Sequence, residues 1–218
     1  MNSSGDKAAG VTDAGAGRAR RERILEAVTR VLTDEKRSAT EMQAVVEDSA
    51  LPMEEVRAEF PDLDDLVVAI ASRLAARVSE PLRSAMRSGG FDDVRSDLHA
   101  FGAVLRAAFS SVIIGFLRVA MTEGSRHKEL RERIYAAGPA VVETALCDYL
   151  DAAARKGRLS FANTAYAAES LIAMLREPLY EELTVHSQEF TFYGSAEEAV
   201  EQAVDRFLRG CDAREAAA

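Results

Sequence analysis

The chain has 218 residues, 48% hydrophobic and 29% charged, with 27 Lys and Arg against 36 Asp and Glu, a formal net charge of −9. That composition describes a globular chain able to bury a sizeable core, and its acidity excludes indiscriminate adhesion to nucleic acid or anionic membrane. The longest uncharged apolar run, Ala107 to Leu117, is 11 residues, short of the roughly 20 that cross a bilayer.

In chain order, residues 1–17 are rich in Gly, Ala and Ser and lack an apolar h-region, so they read as a flexible, disordered tail and not as a signal peptide. Helical periodicity then begins, with Ile24, Leu25, Val28, Val31 and Leu32 on one face of a helix over 18–34. Short helices follow near 39–49 and 53–59, the first opened by a candidate capping box of Thr40 and Gln43. A long helix over 62–86, capped by Asp62, carries Leu63, Leu66, Val67, Ile70 and Leu74 on one face. Further helices are expected near 92–108, 110–124, 128–137, 139–156, 163–184 and 195–210, with breaks at Gly89-Gly90 and Gly138-Pro139. Asn163 and the Ser195/Glu198 pair supply start signals, while Gly157 and Gly210, each after a basic last turn, predict left-handed caps. Phe190 to Tyr193 is too short for a convincing strand and reads as a loop.

The fold class is therefore all-α. A three-helix head over 18–66 is too small to hold a core alone and should pack on the start of the long fourth helix, ahead of a larger helical body over 67–218. Two cysteines far apart, Cys147 and Cys211, suit a reducing cytoplasm.

The head carries a resemblance. Arg23-Ile24-Leu25-Glu26-Ala27, Thr40-Glu41-Met42, Val45-Val46, Ala50-Leu51, Val56, Phe60 and Leu66 resemble, without gaps, the N-terminal domain of the TetR family of bacterial transcriptional regulators. The resemblance implies a helix-turn-helix whose second helix enters the DNA major groove. The matching positions are mostly those that pack, and the positions that grip DNA depart from the family pattern. Ala50-Leu51-Pro52 stands where Gly-Val-Ser is usual, and Glu54, Glu55 and Arg57 replace the usual Gly, Thr and phosphate-binding Tyr. Glu59 replaces a His, and Leu63, among Asp62, Asp64 and Asp65, replaces a Lys. Thr40 and Arg57 keep phosphate-binding chemistry, Met53 opens the reading helix, and Arg18, Arg20, Arg21 and Arg23 form a basic arm suited to phosphate or minor-groove contact, or simply to solvent.

Residues 40–66 hold nine acids (Glu41, Glu47, Asp48, Glu54, Glu55, Glu59, Asp62, Asp64, Asp65) against the single base Arg57, so nearly all of the chain's net charge lies in this segment. Two like charges about 8 Å apart in water repel by roughly 0.5 kcal/mol. Six groove-facing carboxylates, Glu54, Glu55, Glu59, Asp62, Asp64 and Asp65, would oppose docking by a few kcal/mol. Either this is a solvated face, its acids favoured near a helix N-terminus, or it is a surface with a role of its own. A non-glycine residue at the turn either carries left-handed strain of about 1 kcal/mol at Ala50 or imposes another turn shape.

The resemblance extends through Arg118-Val119-Ala120-Met121-Thr122-Glu123, Glu129-Leu130, Tyr135, Gly138-Pro139 and Tyr149-Leu150, which look like the C-terminal domain of AefR-like members of the family. It implies a homodimer joined through the helices near 139–156 and 163–184, with Val142, Leu146, Tyr149, Leu171, Leu175 and Leu179 as interface candidates; the same stripes equally suit a monomer core. It also implies a small apolar ligand, with Phe101, Leu105, Phe109, Phe116, Met121 and Tyr135 either lining its pocket or packing as ordinary core.

No catalytic or metal pattern stands out: His99, His127 and His186 lack paired spacing, and no phosphate-cradling loop, serine elbow or carboxylate pair is present in the sequence. Neither an enzyme nor a bound cofactor or metal is expected, and Glu123 is expected to order its own helix, not to donate a proton. The expectation is a cytoplasmic, homodimeric, ligand-responsive regulator with impaired or unconventional DNA binding. The alternative replaces DNA by a protein partner met through the acidic head, including a heterodimer with a related regulator.

Overall fold

A computed structural model describes residues 6–34, 39–89, 91–109, 113–185 and 195–211, the side chains of 6–14, 16, 114, 126, 177–185 and 196 excepted. Apolar residues recurring every three or four positions can be buried only by helices, and the described residues contain helices with no strand. In order these are α1 (Asp6–Leu32), α2 (Met42–Asp48), α3 (Met53–Glu59), α4 (Leu63–Ser88), α5 (Val94–Ala108), α6 (Ile114–Arg126), α7 (Lys128–Ala137), α8 (Pro139–Arg155), α9 (Thr164–Val185) and α10 (Ala196–Gly210). Among them no helix is long and apolar enough to cross a membrane.

The contacts divide the chain into two units, Met1–Ala71 with Ser111–Ile134, and Ser72–Ser110 with Tyr135–Ala218. In the first, α1 packs on α2, α3 and α6. Ile24, Val28, Val45, Val46, Val56, Phe60, Leu66 and Ile70 are fully buried. The approach of α6 to the end of α1 is close enough that a Cβ on Gly115 would collide with the carbonyl of Leu32. In the second unit α10 packs on α5 and α9, and α9 also on α8 and α5. Gly102 of α5 makes room there: a Cβ would lie 2.8 Å from Val200 Cγ1 and 2.9 Å from Leu175 Cδ2. The Tyr149 hydroxyl donates to Asp97 at 2.7 Å, and its ring lies 5.4 Å from that of Phe91. Burial, followed by this bond, pushes the phenol far above its ordinary titration range.

Most helix ends follow local sequence. Asp62 accepts from the Asp64 N–H at 2.9 Å and Asn163 from the Tyr166 N–H at 2.9 Å, and Ser195 and Glu198 form a reciprocal capping box. Gly157 takes φ +69° while the Arg158 N–H returns to the Ala153 carbonyl at 3.0 Å, the expected left-handed stop.

Three local expectations are corrected. Helix α1 reaches back to Asp6, into the segment expected to be a disordered tail, despite Gly10, Gly15 and Gly17. Gly210 is not left-handed but the last residue of α10, because Cys211 closes the end by donating to Leu208 O at 3.0 Å and accepting from the Ser160 N–H at 2.9 Å. The Thr40/Gln43 box does not form: Glu41 occupies the N-cap with no side-chain bond, and Gln43 donates instead to Glu47 at 3.1 Å.

The apolar stripes of α8 and α9, expected either at a dimer interface or in a monomer core, turn inward. Leu146 and Tyr149 of α8 and Leu171 and Leu175 of α9 are all buried within one chain, where they complete the core of the second unit. Val142 is half-buried, and the side chain of Leu179 lies outside the described residues. The outward apolar groups of α9 are instead Tyr166, 72% exposed, and Met174, 38% exposed.

Candidate nucleic-acid interface

The α2–turn–α3 segment is where the helix-turn-helix resemblance places a DNA contact, and of the two turn shapes left open by its composition it takes the strained one. Ala50 sits at φ +58°, a conformation that costs an L-residue on the order of 1 kcal/mol. It is held there by its N–H bond to Glu47 O at 3.2 Å and by the Ser49 side chain, which accepts weakly from the Leu51 N–H at 3.4 Å. Pro52, at φ −61°, starts α3 without needing a donor.

The seven residues of α3 then sort by helical phase. Val56 enters the core. Glu55 and Glu59 are half-buried and face arginines of α1: Glu55 forms an ion pair with Arg23, and Glu59 Oε1 lies 3.4 Å from Arg20 Nη1. Between these pairs the Arg21 guanidinium stacks 4.1 Å from the centroid of the Phe60 ring and donates to the Glu59 carbonyl at 3.4 Å. Glu54, Arg57 and Ala58, at positions i, i+3 and i+4, form the exposed face. Met53 is half-buried, and Thr40 and Arg18 are exposed.

The basic arm expected to reach for phosphates is thus part of a helix, and Arg20, Arg21 and Arg23 are occupied on α3 and the residue that follows it. Each pair, partly exposed, contributes at most about 1 kcal/mol to stability. Their larger consequence is electrostatic, because each withdraws one carboxylate and one guanidinium from the field a polyanion would meet. Sequence spacing held a usable signal: Arg20 and Arg23 are three apart, and Glu55 and Glu59 four apart, on helices that pack in any such head.

The other acids have separate tasks. Asp62 caps α4. Asp65 pairs with Arg133 of α7. Burial, with Asp62 next, raises the Asp64 carboxyl above its ordinary value, against the opposing pull of His127 and Arg133. Glu123 on α6 accepts from the Met42 N–H at 2.9 Å across 81 residues of chain, replacing the local cap that α2 lacks. Expected to order the helix that carries it, Glu123 orders α2 instead, because its carboxylate reaches the unsatisfied N–H at the start of that helix.

The pocket candidates divide between the units. In the second, Phe101 and Leu105 are buried and Phe109 half-buried; in the first, Phe116 is buried. Met121, 73% exposed, and Tyr135, 52% exposed, point away from any interior; the Tyr135 hydroxyl donates to Glu143 at 2.8 Å. A cleft of about 320 Å³ in the second unit is polar, lined by Asp93, Arg95, Ser96, His99, Glu201 and Val204, and includes none of these candidates. Arg95 bridges Asp205 at 2.8 Å and Glu201 at 3.1 Å there, holding the Asp205 carboxyl below its ordinary value. Among the described residues no three His, Cys, Asp or Glu converge as metal ligands; His186 and Phe190 to Tyr193 lie outside them.

Comparison with known proteins agrees with this architecture. Residues 97–210 match the family model of the C-terminal domain of AefR-like transcriptional repressors. Similar solved structures include a Mesorhizobium loti protein described as a TetR-family transcriptional regulator, with a TM-score of 0.68 and 15% identity, covering 90% of this chain and 98% of that one. The TetR-family regulator PfmR of Thermus thermophilus has a TM-score of 0.58 and 19% identity, covering 86% and 98%. The flavonoid-responsive regulator FrrA has a TM-score of 0.56 and 20% identity, covering 89% and 97%. No curated protein matches the sequence.

Proposed function

Because the chain belongs to the TetR family of transcriptional regulators, with an AefR-like C-terminal domain, we propose that it acts as a homodimeric, small-molecule-responsive regulator whose heads grip the DNA backbone weakly. The observation that carries the reading is the pairing of Arg20 and Arg23 with Glu59 and Glu55. Cations that would otherwise neutralise phosphates are occupied by the helix that enters the groove. Weak grip is not absence of binding. With two of the three α3 glutamates partnered, the repulsion is smaller than a count of carboxylates implies, and affinity rests on few contacts. The outward Tyr166 and Met174 on α9 support association of two copies. Likeness to a flavonoid-responsive regulator, with Phe101 buried and Phe109 half-buried in the second unit, supports an aromatic or apolar effector.

Salt titration of binding to genomic and random duplexes tests this. Each phosphate contact steepens the fall of log K against log salt by about 0.9. The wild-type chain should show a shallow slope, and Glu55→Gln with Glu59→Gln, which frees both arginines, should bind more tightly with a slope steeper by up to about 2 per head. A steep wild-type slope that the double variant leaves unchanged would show that these arginines already hold phosphates. Absence of DNA binding by both proteins would favour a protein partner at the acidic head.

A further inference from the structure

The seven residues of α3 offer a duplex little with which to read sequence. Val56 is buried in the core, and Glu55 and Glu59 are turned toward Arg23 and Arg20. The exposed face retains two side chains that can hydrogen-bond, Glu54 and Arg57, beside the methyl of Ala58. Their chemistries are complementary to the two bases of one pair type. In the major groove an arginine donates two parallel bonds to guanine O6 and N7, and a carboxylate accepts from the cytosine N4 amino group. Three residues along a helix are about 4.5 Å along its axis, close to the roughly 3.4 Å between successive bases of a strand. Two side chains at that spacing address neighbouring base pairs.

We propose that α3 specifies two adjacent G·C pairs in each half-site, Arg57 reading guanine and Glu54 reading cytosine. This rests on the DNA-binding reading above and adds to it the base identity of the target. A carboxylate is tolerable on a groove-facing helix when it meets an amino donor and when its neighbour on the same face is a cation; Glu54 has such a neighbour in Arg57. Adenine and thymine satisfy this pair poorly. Thymine O4 is an acceptor that faces the carboxylate with no proton to share, and adenine gives the guanidinium one acceptor in place of two.

Selection of duplexes from a random library by the full chain, at about 50 mM salt, where backbone contacts are strengthened, reads the code directly. The wild type should enrich a two-fold symmetric site with adjacent G·C pairs in each half. Arg57→Ala should flatten the guanine preference and weaken the selected site by about 5- to 150-fold per half-site, the usual range for a bidentate contact. Glu54→Gln should move the neighbouring preference from cytosine to adenine, which glutamine recognises through N6 and N7. Both positions are exposed, so the thermal midpoints should stay at the wild-type value and exclude misfolding as the cause. An enriched site indifferent to both substitutions would overturn this code while leaving DNA binding in place. Failure of the wild type to enrich any sequence would overturn the code together with sequence-specific DNA binding.

Discussion

The contact of α1 with α3 and the contact of α5 with α9 and α10 fasten helices by opposite chemistry. In the first, a small apolar centre of Ile24, Val28, Val56 and Phe60 is rimmed by arginines facing glutamates. In the second, Gly102 admits Leu175 and Val200 almost to backbone contact. Apolar burial contributes roughly 1.5–3 kcal/mol for each large side chain, whereas exposed ion pairs contribute about 0–1 kcal/mol each. The apolar contacts therefore fix the fold, and the charged rim is free to be adjusted for what the head meets. Substitutions in the core should abolish structure and those in the rim should change binding.

The largest effect tests the core side of that contrast. Leu146→Glu places a charge among fully buried side chains and should cost more than about 4 kcal/mol, seen as loss of the cooperative thermal transition in circular dichroism. Tyr166→Glu, on the exposed side of α9, should leave monomer stability within about 0.5 kcal/mol and halve the sedimenting mass if that face joins two copies. A folded, monomeric Leu146→Glu protein would return Leu146 to the interface.

A smaller effect belongs to the polar attachment between α6 and α2. Glu123→Ala removes the acceptor for the Met42 N–H and should destabilise the head by about 1 kcal/mol, as loss of an N-cap does. The amide exchange of Met42 should accelerate beyond that of its neighbours. Glu123→Gln keeps an acceptor oxygen and should recover most of the protection; equal exchange in wild type and Glu123→Ala would deny the cap any weight.

These expectations also show what the sequence carried. Helix positions, the all-α class and the caps at Asp62, Asn163, Gly157 and Ser195 were legible because each depends on residues within one turn of the helix end. At Ala50 local sequence leaves a choice between left-handed strain and another turn shape, since a non-glycine residue stands where the family turn has glycine; the backbone, at φ +58°, takes the strained form. Leu146 and Leu175 were ambiguous, because periodicity identifies an apolar face without naming what covers it. The Glu123 cap spans 81 residues and leaves no local pattern. The acidity of residues 40–66 is legible as composition but not as a field, because Arg20, Arg23 and Arg133, which pair with Glu59, Glu55 and Asp65, all lie outside that segment.

The smallest effect probes that field at a group whose neighbours pull in both directions. Burial and Asp62 raise the Asp64 carboxyl above 3.8, while His127 and Arg133 oppose them. A folded-state value above the unfolded one means that the native protein binds the proton more readily than the unfolded chain. Near neutral pH Asp64 is charged in both states and its ionised form costs stability; as pH falls through the raised value the native state takes up the proton and the cost disappears. Asp64→Asn should therefore raise the thermal midpoint near pH 7, by less than the equivalent of about 1 kcal/mol because the site is partly solvated and screened. The gain should shrink on acidification and vanish below about 3.8, where both states of the wild type are protonated. A loss of stability at pH 7 would mean that attraction to His127 and Arg133 outweighs burial, and Asp64 would then join Glu55, Glu59 and Asp65 among the carboxylates whose charge the fold uses.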